Sequence, residues 1–97
     1  MPTQHDDALI SQYFWKIQVL AVKALEGENV KAETKTTITK ALEHFDTLST
    51  TNPSVNKAAL KRKLKYMASI THSSQPAQKE ALEYAASLIP EQSSLKE

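Results

Sequence analysis

The chain has 97 residues, with 12 Lys and Arg against 11 Asp and Glu, no cysteine, one glycine and four prolines. That length predicts one domain with its own core and no second one beside it, and a net charge of +1 gives no global attraction to nucleic acid or an anionic membrane. The absence of cysteine excludes a disulfide framework, thiolate metal sites and a cysteine nucleophile, and a single glycine is too few for a glycine-rich phosphate loop.

The segment Met1-Pro2-Thr3-Gln4-His5-Asp6-Asp7 carries two acids and no Lys or Arg, the wrong start for a secretory signal. The most apolar stretch, Ala8 to Leu25, is interrupted by Gln12, Lys16, Gln18 and Lys23, so no transmembrane segment is predicted and a cytoplasmic protein is expected. A first helix is predicted over residues 7–26, opened by acids and stopped by Gly27. On a helical wheel Ile10, Phe14, Ile17, Leu20, Ala21, Ala24 and Leu25 share one face, with Tyr13 at its edge. Trp15, Val19 and Val22 form a second apolar stripe on the opposite side, flanked by Gln12, Lys16 and Lys23 on one edge and by Ser11 and Gln18 on the other. Two readings account for that stripe. Either the helix sits centrally and touches neighbours on both sides, or the stripe docks another helix or a second copy of the chain. Tryptophan suits the docking reading, because it offers a large contact area with few rotamers to freeze.

After the break at Gly27-Glu28-Asn29, a second helix is predicted over residues 31–49, with Val30, Thr34, Ile38, Ala41, Leu42, Phe45 and Leu48 on its core side. Threonines at 34, 36, 37 and 39 weaken it, so fraying of its first turn is expected.

Thr50-Thr51-Asn52-Pro53 leads into a third helix, residues 54–70, with a buried stripe at Leu60, Leu64, Met67 and Thr71. Residues 53–75 carry a charge of +5 and no acid. Lys57, Lys61 and Lys65 recur every four residues as one solvated stripe, with Arg62 further round. Such a stripe is either a solvated outer face balanced by Glu80 and Glu83, a surface for an anionic protein or lipid headgroup, or a nucleic-acid contact. Only Tyr66 is available for base stacking, and no glycine-containing helix-turn-helix turn is present, which weakens the nucleic-acid reading.

A fourth helix, residues 75–89, is expected after Thr71-His72-Ser73-Ser74-Gln75-Pro76, with Ser74 as N-cap, Pro76 in the first turn and a core face of Leu82, Ala85, Ala86 and Ile89. Pro90 ends it, and residues 90–97 form a polar tail. Four amphipathic segments with short links predict an all-α antiparallel four-helix bundle, up-down-up-down. The competing architecture is a three-helix core with the second helix displaced or bent.

No chemistry emerges from the spacing. His5, His44 and His72 are not at helical spacing from one another, Glu43, His44 and Asp46 diverge around a helix, and the Glu-x-x-His pairs of bundle di-metal sites are absent, so no metal or cofactor is expected. His72-Ser73-Ser74 lacks an elbow glycine and an orienting acid, and an N-terminal proline catalyst would need an α/β fold, so no catalytic residue and no enzymatic activity is predicted.

The length, the helix order and the basic-then-tyrosine segment Leu60-Lys61-Arg62-Lys63-Leu64-Lys65-Tyr66 resemble the pediocin-like bacteriocin immunity proteins. That resemblance implies a cytosolic four-helix bundle that protects a producing cell from its own peptide. The short polar segment Glu91 to Glu97 departs from the family, whose tail matters for specificity, and no residue role is carried over. The expected function is a small non-catalytic binding module (adaptor, inhibitor or immunity-type protein) that engages another protein or peptide through Trp15, Val19 and Val22. The alternatives are a nucleic-acid-associated protein using Lys57, Lys61, Arg62 and Lys65, and a structural homodimer formed through the first helix.

Overall fold

Gly27 fixes where the first helix ends. Its φ of +96° is open to glycine and strained for other residues. That turn lets the Gly27 N–H donate to the Ala24 carbonyl at 3.0 Å and the Glu28 N–H donate to the Lys23 carbonyl at 3.1 Å. The pair of bonds is a Schellman cap, and it satisfies carbonyls that the helix end leaves orphaned. The computed structural model describes residues 4–49, 52–71 and 73–90, with side chains from Asp6 onward. The expectations for Met1-Pro2, the His5 side chain, Thr50-Thr51, His72 and residues 91–97 lie outside what it describes.

Four helices make up the described residues: α1 (Gln4–Leu25), α2 (Lys31–Leu48), α3 (Pro53–Ile70) and α4 (Pro76–Ser87). Helix α1 begins before the expected Asp7, and Asp6 and Asp7 occupy its first turn, where carboxylates favour the positive end of the helix dipole. Helix α2 is continuous despite its threonines; Thr39 and Thr47 return their hydroxyls to the carbonyls of Lys35 and Glu43, at 2.8 and 3.0 Å. At α3 the Asn52 side chain accepts from the Ser54 N–H at 2.9 Å, with Pro53 in the first turn. At α4 the N-cap is Gln75 rather than the expected Ser74, and its side chain makes no capping bond; Pro76 stands in the first turn as expected.

The four helices pack as a helical bundle around Ile10, Tyr13, Ile17, Ala21, Ile38, Ala41, Phe45, Leu60, Leu64, Leu82, Ala85 and Ile89. Burying each large apolar side chain contributes roughly 1.5–3 kcal/mol. Tyr13 in the first half of α1 meets His44 in the second half of α2, Asp6 meets Asn56 at the start of α3, and Lys61 of α3 reaches the Ile89 carbonyl just beyond α4. The second helix is therefore neither displaced nor bent out: Thr34, Ile38, Ala41 and Phe45 are all buried.

Some expected positions shift. Tyr13 is at the centre of the core, not its edge, and Leu9 joins it. Leu25 and Leu48, expected inside, are exposed; each is the last residue of its helix. Phe14, Ala24, Leu42 and Met67 pack against the core from its rim.

Candidate partner-binding surface

Trp15, Val19 and Val22 are 68%, 51% and 48% exposed. The central-helix reading of this stripe is thereby corrected: α1 buries its Ile10–Ile17–Ala21 side against the other helices, while Trp15, Val19 and Val22 face outward. The stripe borders a groove of about 280 Å³ lined by Trp15, Gln18, Val19, Val22, Lys23 and, from the first turn of α4, Gln78. Lys23 is the only charged residue in that lining. The Oε1 of Gln18 is buried without a hydrogen-bond partner.

Helical spacing puts two cations, Lys16 and Lys23, on one flank of the stripe. Lys16 and Lys23 are the only charged residues of α1 between Asp7 and Glu26. The Lys16 ammonium lies 5.2 Å from the centroid of the Tyr13 ring. The Lys63 ammonium, from α3, lies 5.8 Å from the centroid of the Phe14 ring, which packs against the core. Both distances suit cation–π attraction, which holds flexible lysine heads near α1.

The basic face of α3 differs from the single solvated stripe expected for it. Lys57 is half-buried and forms an ion pair with Asp46 of α2 at 2.8 Å. Lys61, also half-buried, donates to the Ile89 carbonyl, where a cation complements the C-terminal end of α4. Arg62 and Lys65 are exposed. Lys61 and Lys65 line a second groove with Lys79, Ser69, Ser87 and Glu83, so one of the two acids expected to balance the stripe does stand opposite it. The four-residue period placed these cations on one face, but neighbouring helices divide them between separate tasks.

Two internal polar arrangements escaped sequence reasoning. Asn56, fully buried, donates from Nδ2 to Asp6 at 3.1 Å and to the Ser49 hydroxyl at 2.8 Å, which joins α1, α3 and the C-cap of α2. Tyr13 is hydrogen-bonded through its hydroxyl to Nδ1 of His44, and its ring packs edge-on against Phe45, with centroids 6.3 Å apart. Burial raises the Tyr13 phenol above its ordinary value of 10.0. The one available signal was Asn56 itself, a polar residue four positions before Leu60 on the buried stripe.

Among the described residues no three His, Asp or Glu side chains gather as a metal-holding group, and no helix is long and apolar enough to cross a membrane. Comparison with protein-family models, with curated proteins and with solved structures finds no match to the chain.

Proposed function

We propose that the protein is a non-catalytic helical binding module, of the adaptor, inhibitor or immunity type, that engages another protein or peptide through the outer face of α1. The observation that carries this reading is the exposure of Trp15, Val19 and Val22 beside a groove. A bundle gains stability by covering such residues, and a cluster of one tryptophan and two valines on one helix face is the composition of an interface anchor. The nucleic-acid alternative draws less support, because Lys57 and Lys61 are engaged with Asp46 and the Ile89 carbonyl. Cytoplasmic location goes with this reading.

A photo-crosslinking amino acid at position 19, compared with one at exposed Thr36 on α2, tests it in the cell that makes the protein. A cross-linked product of defined mass from position 19 alone supports the docking face. Products only of twice the chain mass favour the homodimer, and equal products from both positions overturn the assignment of the surface.

A further inference from the structure

The groove beside Val19 has a chemistry that selects its occupant. Its floor and walls are Trp15, Val19 and Val22, its charged lining is Lys23, and no acid lines it. Helical spacing puts Lys16, which is exposed, with Lys23 on one flank of the stripe. At about 280 Å³ it is smaller than the ~300–1,000 Å³ of small-molecule sites, yet it is concave enough to receive side chains from a second helix. Trp15 and Val22 are separated by seven residues, about 10 Å along α1, which matches two turns of a facing helix.

We infer that this groove seats an acidic amphipathic helix of a partner protein: apolar side chains at i, i+3 or i+4 and i+7 against Trp15, Val19 and Val22, with Asp or Glu on the flank that faces Lys16 and Lys23. The inference rests on the docking reading of α1 and adds the class of partner. An antiparallel second copy is disfavoured as occupant by charge, because that two-fold pairing sets the lysine flank of one α1 against the lysine flank of the other, a like-charge juxtaposition.

The test uses the full chain and three probes: a synthetic 18-residue amphipathic helix with Leu and Phe on one face and Glu on its flanks, the same peptide with Lys replacing Glu, and vesicles of phosphatidylglycerol. Trp15 is the sole tryptophan and reports binding by its emission. The acidic peptide is expected to shift that emission to the blue and saturate, with affinity falling as salt rises. The double variant Lys16→Glu with Lys23→Glu should bind it about tenfold or more weakly, and should gain affinity for the Lys peptide. Circular dichroism checks folding, and Lys16→Gln with Lys23→Gln replaces the double variant if the reversal disturbs it.

Equal binding of the acidic and basic peptides, or an acidic peptide insensitive to both charge variants, overturns the partner class while leaving the docking face standing. A shift with vesicles and with neither peptide assigns the surface to lipid and overturns the inference. So does light scattering that shows dimers lost on Val19→Glu. No shift with any probe, together with no specific product from the crosslinker at position 19, removes the docking reading as well.

Discussion

Asn56 donates to Asp6 across 50 residues of chain, and both side chains are fully buried. One amide thus ties the first turn of α1 to the start of α3, and through the Ser49 hydroxyl to the end of α2. A buried polar group of this kind is favourable only while its bonds are intact, and it rewards one relative placement of three helices.

Replacing Asn56 with Ala is therefore expected to cost about 1–3 kcal/mol. Asn56→Asp is expected to cost more at neutral pH, since it sets a second carboxylate against Asp6, and to recover part of that loss as the pH falls and one of the two takes up a proton. Urea unfolding followed by far-UV circular dichroism at pH 7 and pH 4 measures both. An Asn56→Asp variant as stable as wild type at pH 7 contradicts this role for the contact.

Tyr13 gives the protein an alkaline sensitivity. Its phenol holds its proton above the ordinary 10.0 because burial penalises the phenolate. The folded state then binds more protons than the unfolded state once the pH passes about 10, so stability falls as the pH rises through that window. Tyr13→Phe forfeits the hydrogen bond to His44, an expected cost of about 0.5–1.5 kcal/mol at pH 7. Above pH 10 the gap between variant and wild type should narrow, because Phe has no proton to lose. A gap constant from pH 7 to pH 11 counts against it.

Gly27→Ala isolates backbone strain. A Cβ at this position meets nothing within 4 Å, so the φ of +96° is the only obstacle. A loss of about 1–2 kcal/mol is expected, and a smaller one for Gly27→Asn, which tolerates the left-handed region better. Thermal melts that place the Ala and Asn variants together would show that the Schellman turn rearranges instead.

The two faces of α1 should respond oppositely. Trp15→Glu changes an exposed side chain and is expected to shift stability by no more than about 0.5 kcal/mol, whereas Ile17→Ala, two positions away and buried, is expected to cost about 2–5 kcal/mol. Tryptophan emission of the wild type should be red-shifted, as for an indole in water. A Trp15→Glu chain that unfolds would mean that the indole supports the core, and the docking face would have to be abandoned.

The periodicity of apolar residues was enough to read the four helices and most of the core. Ile10, Ile17, Ala21, Ile38, Phe45, Leu60, Leu64, Leu82 and Ile89 recur at helical spacing, and burying them is the dominant favourable term available to the chain. Gly27, Asn52, Pro53 and Pro76 marked breaks because each restricts or frees particular backbone angles or bonds, a local property that needs no tertiary context. Which of two apolar stripes on α1 stays uncovered was not local. Trp15, Val19 and Val22 satisfy the same spacing rule as the core residues, and only the placement of the other helices on the Ile17 side leaves them outward. The same holds for the cations of α3. Their four-residue period is a property of the sequence, but Asp46 and the Ile89 carbonyl come from segments distant in the chain, so what Lys57 and Lys61 engage required the fold. Helix formation is decided over a few neighbouring residues. A side chain's partners are decided by segments distant in the chain, and the groove beside Val19, with Gln78 in its wall, exists only because α4 packs against α1.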